Sequence, residues 1–208
     1  NKVICADIDT DKIFKLKSGE IPIYEPGLEE IIKRNVKSER LYFSNDISLS
    51  IQKSEVIIIA VGTPQTSKGN ANMTYVDSVV RAVKKNLKDY KIICTKSTVP
   101  IGTGKKIIKT LSNDFEQGSD FDYVSNPEFL REGSAVKDFL WPDRIIIGAT
   151  SDKAFDIMCD IYRPLYINKN PIKHTTIETA EMIKYASNSF LALKISYINE
   201  IANLCESV

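Results

Sequence analysis

Five short runs rich in valine, isoleucine and tyrosine, separated by stretches of helical periodicity, constrain this chain more than any other feature. They are "KVICAD" (2–7), "EVIIIAVG" (55–62), "KIICTKS" (91–97), "FDYVSN" (121–126) and "RIIIGA" (144–149). Several are apolar at consecutive positions instead of alternating, the pattern of strands covered by helices on both faces. Between them, "YVDSVVRAVKKNL" (75–87) places Val76, Val79, Val80, Val83 and Leu87 on one helical stripe. "IYEPGLEEIIKRN" (23–35) predicts a helix with Pro26 at its first position and acids in the opening turn. "GTGKKIIKTL" and "SDKAFDIMCDIY" supply further crossovers. Strand and helix in alternation predict an α/β fold with a doubly wound, mostly parallel sheet.

After residue 170 the pattern changes. From Thr176 to Val208 there is no glycine or proline, and Ile183, Ala186, Phe190, Ile198 and Ile201 recur at helical spacing. This predicts one long helix leaving the sheet, of the kind that joins two domains or pairs with a second subunit. Two units are therefore expected, residues 1–175 and the start of a helical unit at 176–208.

Composition removes several function classes. Twenty-eight lysines and arginines against 27 aspartates and glutamates leave a formal charge of +1, which argues against nucleic acid as a partner. No apolar run has the length of a membrane span, and the opening residues do not read as a signal peptide. Cys5, Cys94, Cys159 and Cys205 lie far apart, without metal-ligand spacing, so no metal is expected. Cys5 and Cys94 sit in apolar runs and are expected to be buried. A reduced, cytoplasmic protein is the natural reading. The single histidine, His174, excludes a histidine-rich metal site and is expected at the surface.

The polar residues of interest follow the strands. A strand ending in an acid, as "VICAD" ends in Asp7, suits the second strand of a dinucleotide-binding fold, where a carboxylate meets a ribose diol. Lys12 follows five residues on, near enough to meet a phosphate or that ribose. "VIIIAVGTPQ" (56–65) runs into Gly62, Thr63 and Pro64, and "ICTKSTVPIGTGKK" (93–106) into Ser97, Thr98 and Pro100. Carboxyl ends of strands are where open α/β sheets bind ligands, although ordinary strand-to-helix turns use the same residues. "SNPEFLREG" (125–133) carries two carboxylates, Glu128 and Glu132, at a spacing that a helix would place on one face and a solvated turn would also tolerate. In "EMIKYASNSFLALKISYINE", Lys184 and Asn188 stand four apart on an otherwise apolar helical face. They read either as a snorkelling lysine beside a surface asparagine, or as a cation and an amide aimed at a reacting oxygen.

Taken together these segments resemble the nucleotide-sugar dehydrogenases of the UDP-glucose/GDP-mannose type. The resemblance rests on "IPIYEPGLEEII", "VGTPQ", "KSTVPIGTG", "SNPEFLREGSAVKDFLWPDRIIIG" and "TAEMIKYASNSFLALKISYINEIANLCE", in family order and over nearly the whole chain. It implies a Rossmann-like domain binding NAD, and oxidation of a nucleotide-sugar alcohol through the aldehyde to the acid. The "PDRIIIG" ending looks more like the UDP-glucose branch, with GDP-mannose or another nucleotide sugar as the alternative substrate. By matching positions, Glu128 would be the acid/base group, Thr98 would help to hold a water, and Lys184 and Asn188 would stabilise developing oxyanions. Phe129, Leu130 and Arg131, with Glu128, Lys184 and Asn188, would line the sugar-nucleotide site. Asp7, Lys12, Val61, Gly62, Thr63, Pro64, Ser97, Thr98 and Glu132 would face NAD. The family also implies a homodimer through the helix beginning near Thr176.

The sequence departs from the family pattern in three places. The glycine-rich loop and first strand, the glycine-flanked nucleophilic cysteine and the C-terminal nucleotide-sugar domain are not among the 208 residues. The chain as written is therefore expected to be part of a larger enzyme, inactive alone. A nucleotide-binding fragment without catalysis is the competing class. The strand at 2–7 and that at 55–60 are each expected to keep an unpaired edge.

Overall fold

The computed structural model describes residues 1–168 and 172–208. The chain begins with β1 (Val3–Ala6), α1 (Thr10–Lys17), α2 (Leu28–Lys37), β2 (Leu41–Ser44), α3 (Ile47–Lys53) and β3 (Val56–Ile59). It continues through α4 (Thr74–Asn86), β4 (Lys91–Thr95), α5 (Thr103–Leu111), β5 (Phe121–Ser125) and α6 (Ala135–Leu140). Last come β6 (Ile145–Ala149), α7 (Asp152–Tyr162), β7 (Ile172–Thr175) and α8 (Ile177–Ser207). The α/β alternation and the long final helix are as the sequence predicts.

The strands form two hydrogen-bonded sets. β1 pairs with β2 in parallel, while the larger sheet runs β3-β4-β5-β6-β7. β3, β4 and β5 are parallel; β6 runs antiparallel to β5, and β7 parallel to β6. Among the described residues β1 and β3 each have one paired edge, and Val3 and Ile58 are about half exposed.

The run "KIICT" shows why its residues are apolar without alternation. Every residue of β4 is buried. Ile93 points into a core with Val76, Val80, Val83, Ile107 and Leu111, while Ile92 and Cys94 point into another with Val124, Ile147 and Met158. Successive side chains face opposite ways, and helices cover both faces. Burying a side chain of this size stabilises the fold by about 1.5–3 kcal/mol.

Helix starts follow local hydrogen bonding. Asp9, Asp46, Ser151 and Thr176 cap α1, α3, α7 and α8, each accepting from a backbone N–H three residues on. The expected start of α2 at Pro26 is corrected. Gly27 adopts a left-handed conformation (φ 80°) after a turn closed by the Leu28 N–H and the Glu25 carbonyl, so the helix begins at Leu28. Cys5 is likewise not buried: it lies exposed in the two-stranded set, whereas Cys94 is enclosed. His174 is exposed, stacked on Phe155 at 4.1 Å.

Helix α8 packs its first turns on β5 and β6. Gly148 makes that approach possible. A Cβ there would lie 2.6 Å from the Thr176 carbonyl oxygen and 2.9 Å from both Ala180 Cβ and Ile177 Cα. Beyond Tyr185 the same helix leaves the sheet, with Phe190, Leu191, Leu193, Tyr197 and Ile198 more than half exposed.

Candidate functional site

The segment after β5 is a loop, so Glu128 and Glu132 do not share a helical face. It starts from a fixed point. The Asn126 N–H donates to the Thr95 carbonyl (2.9 Å) and its side-chain amide to the Ile146 carbonyl (2.7 Å). Its side-chain oxygen accepts from Lys96 Nζ (3.2 Å) and from the Tyr162 hydroxyl. Pro127 is buried, and the chain then turns, with the Leu130 N–H donating to Glu128 Oε2.

The other Glu128 oxygen accepts from Lys184 Nζ at 3.2 Å, joining this loop to α8 across 56 residues of sequence. Lys184 is only 7% exposed, yet it belongs to a charge pair, as a buried ammonium must. Two cations approach Phe129, with Lys184 Nζ 5.3 Å and the Arg144 guanidinium 4.3 Å from its ring centre.

Further along, Arg131 meets Asp138 through its guanidinium (2.7 and 3.0 Å) and through its backbone N–H (3.0 Å). The Arg131 side chain, outweighing partial desolvation, holds the Asp138 carboxyl down at about 2. Glu25 reaches over from the turn before α2, accepting from the Gly133 N–H (2.7 Å) and the Ala135 N–H (3.2 Å). Glu128, Phe129, Leu130, Arg131, Lys184 and Asn188 line one cavity of about 490 Å³, together with Lys96, Lys137, Asp138, Trp141, Arg144 and Tyr162.

A second cluster joins the turns after β3 and β4. The Thr63 hydroxyl donates to the Thr98 carbonyl (2.8 Å), and the Ser97 hydroxyl to the Val61 carbonyl (2.6 Å). These bonds lock the two turns together while leaving lone pairs on both hydroxyl oxygens. Gly62 and Pro64 belong to the first turn, with open space above Gly62 except for Pro64 at 4.0 Å.

A third pair stands after β1, where Asp7 Oδ2 meets Lys12 Nζ at 2.7 Å and Oδ1 accepts from the Asp9 N–H. Partial burial pushes the Asp7 carboxyl up, but Lys12 and the Asp9 and Ile8 amides outweigh it and hold the group below its ordinary range. Glu132 is exposed and lies outside the cavity lining.

Sequence reasoning missed several groups around these clusters. Lys96 lies inside the quoted "KSTVPIGTG" and Arg144 inside "PDRIIIG", yet neither was singled out as a site residue. Glu181 stands one helical turn before Lys184. It is 2% exposed and accepts from the Gly102 N–H (2.6 Å) and the Gly104 N–H (2.7 Å) at the start of α5. Burial raises its carboxyl above the ordinary range despite those two bonds.

Chemically, the cavity wall offers a shielded ammonium, a partly solvated carboxylate beside it, and four further cations with Asp138 and Asp143 among them. Such an arrangement suits an anionic ligand and proton exchange at one of its oxygens. The fold and these clusters define an α/β nucleotide-binding class, with polar turns at the carboxyl ends of parallel strands and a helix closing one side. The chain belongs to the UDP-glucose/GDP-mannose dehydrogenase family: residues 1–166 match its NAD binding domain and residues 178–208 its central domain.

Among its relatives, a UDP-glucose 6-dehydrogenase of Bacillus subtilis (strain 168) is 50% identical over 208 residues, all of this chain and 44% of that protein. A UDP-glucose dehydrogenase structure from Pyrobaculum islandicum superposes with a TM-score of 0.90 at 39% identity, covering 97% of this chain and 46% of the other. A GDP-mannose dehydrogenase structure from Pseudomonas aeruginosa gives 0.91 at 34% identity, covering 96% and 47%. The chain thus spans about half the length of the relatives it matches.

Proposed function

We propose that the protein to which these residues belong is an NAD-dependent dehydrogenase oxidising the sugar alcohol of UDP-glucose to the acid, giving UDP-glucuronate. The observation that carries this reading is the Lys184–Glu128 pair facing a cavity lined by Lys96, Arg131, Lys137 and Arg144, which outnumber Asp138 and Asp143 in the same lining. A diphosphate needs such cations, and a primary alcohol needs a base for its proton and a cation for its oxygen. The names of relatives up to 50% identical support UDP-glucose as the sugar nucleotide.

The residues present fit NAD. Asp7 has one protein partner on each oxygen, and a carboxylate accepts about four hydrogen bonds, so it retains capacity for the hydroxyls of a ribose. Asp7 and Lys12 would hold the adenosine side, and the turns at Val61–Pro64 and Ser97–Thr98 the remainder, largely through backbone groups. Bound NAD would accept a hydride from the sugar carbon. Lys184 would stabilise the oxygen losing its proton, and Glu128 would move protons there and admit water for the acid-forming step. Asn188 would add an amide donor, and Phe129, Leu130 and Arg131 would seat the sugar nucleotide. Cys94 takes no part, since burial pushes its thiol up to about 12.

The division at Thr176, with residues 1–175 as cofactor domain and 176–208 opening the central unit, belongs to the same proposal. So does self-association through the exposed apolar half of α8, which light scattering of the whole protein tests: a monomer would refute it. A cytoplasmic site agrees with four free cysteines, and no helix among the described residues is long and apolar enough to cross a membrane.

The deciding experiment supplies the whole purified protein with NAD and, in separate reactions, UDP-glucose, GDP-mannose and UDP-N-acetylmannosamine. Two NADH formed per UDP-glucuronate, with UDP-glucose giving the highest kcat/KM, is the expected result. Preference for GDP-mannose, to which the 0.91 superposition lends weight, would replace the substrate and keep the chemistry.

A further inference from the structure

The carboxylate of Glu181 lies too deep to meet a ligand, and the chemistry above does not use it. Its surroundings tie three parts of the site together. Helix α5 is preceded by Gly102, which adopts φ 88° and offers no side-chain cap. The first N–H groups of a helix need acceptors, and here Glu181 supplies both oxygens from a helix 77 to 79 residues away in sequence. A Cβ on Gly104 would run into Ile177 at 2.4 Å and Tyr123 at 2.7 Å and come within 3.3 Å of Glu181, so a bare backbone lets the start of α8 pack this close.

One turn further along α8, on the same face, Lys184 holds Glu128. The capped turn leads back through Pro100 and Val99 to Thr98, whose carbonyl binds Thr63. Thr63, Thr98, Glu181, Lys184 and Glu128 thus form a continuous path from the cofactor-side turns to the acid/base pair.

We infer that Glu181 is a positioning residue for the oxidation: by clamping α8 to the Gly102–Gly104 turn it fixes Lys184 and Glu128 relative to Thr98. The inference rests on the dehydrogenase reading given above. Loss of either oxygen as an acceptor frees the turn and lets α8 slide, with the nearest buried ammonium carried along.

The test uses the whole protein and the variants Glu181→Gln, Glu181→Asp, Lys184→Met and the Gln/Met double. Glu181→Gln keeps the shape but turns one acceptor oxygen into an amide NH2, which donates and cannot accept. Its expected effect is a fall in kcat of about 10- to 100-fold, as for displacement of reacting groups by about 1 Å. KM for UDP-glucose should change by less than about threefold, because the groups that seat the nucleotide are untouched. Glu181→Asp, which keeps both acceptors on a shorter stem, should recover part of kcat and serves if the amide variant does not fold. In the Lys184→Met background the Gln substitution should add less than about threefold, since both act through one group.

Wild-type kcat per folded molecule in Glu181→Gln and Glu181→Asp would overturn the inference, as would losses that multiply in the double variant. An inactive wild type would instead overturn the functional reading, so the two failures are distinct.

Discussion

Gly148 offers a sharp test of how α8 is seated. A methyl group at this position would meet the Thr176 carbonyl oxygen at 2.6 Å and Ile177 Cα and Ala180 Cβ at 2.9 Å. Two of these are backbone atoms, and none belongs to a side chain able to swing aside. Ordinary contacts of this type lie near 3.5 Å or beyond, so the helix start must retreat by close to an ångström or the strand must bend. Overpacking of this kind costs about 1–3 kcal/mol. Three simultaneous contacts inside 3.0 Å place Gly148→Ala in the upper half, about 2–3 kcal/mol. For a domain of this size that is a fall in Tm of about 4–12 °C. Gly62→Ala is the control: its new methyl group would find only Pro64, at 4.0 Å, and should change stability by less than about 0.5 kcal/mol. Thermal unfolding followed by circular dichroism compares the two. If Gly148→Ala melts with the wild type, the helix is not seated on this strand as described.

Three more expectations concern single residues. Lys184→Met should lower kcat of the whole enzyme about 10²–10³-fold, the scale of removing one stabiliser of a developing oxyanion; steady-state NADH production measures it, and a loss confined to KM would contradict the assigned role. Asp138→Asn should remove a pH-dependent contribution. The folded carboxyl is held near 2 against an ordinary 3.8, so its stabilisation is present above pH 4 and fades as pH falls towards 2. The gap in Tm between wild type and variant should close over that window, and a gap constant from pH 6 to pH 2.5 would refute the Arg131 pairing. Asp46→Ala, which removes the cap accepting from the Leu49 N–H at 2.8 Å, should cost about 1 kcal/mol in urea unfolding.

The sequence disclosed some of this structure and concealed the rest for identifiable reasons. β4 and β6 were legible because both faces of each are buried, which favours consecutive apolar residues; β5 was legible although buried Asp122 interrupts its apolar residues. β2 ("LYFS") and β7 ("IKHT") were not, being four residues long, partly exposed and free of a distinctive pattern. The short helices α1 and α3 carried readable aspartate caps, but seven or eight residues give little periodicity to accompany them. At the site, the spacing of Glu128 and Glu132 fitted a helical face and a turn alike; a turn closed by Glu128 itself and braced by Glu25 holds that loop. No local pattern links Glu128 to Lys184, and only the family resemblance placed them together. Glu181 escaped because a glutamate one turn from a lysine reads as a surface pair, and its acceptor role depends on a glycine turn far away in sequence.

The reversal of β6 has a consequence for how the molecule can vary. In an all-parallel sheet, every segment entering a strand lies at the end remote from the ligand. Here Ser125 pairs with Gly148 in antiparallel register, so the segment entering β6, with Arg144 as its last residue, lies beside the one leaving β5. The crossing of α8 is turned round as well. Seated near Gly148 at its start, the helix travels back along the sheet and delivers Lys184 and Asn188 to the loop at Glu128. One change of strand direction therefore brings an entry loop, an exit loop and a helix to a single opening. The stretch from Ser134 to Arg144 can lengthen or change its side chains without altering any strand pairing. Divergence in ligand preference between relatives of the same fold has an inexpensive route there, in a segment the sheet does not police.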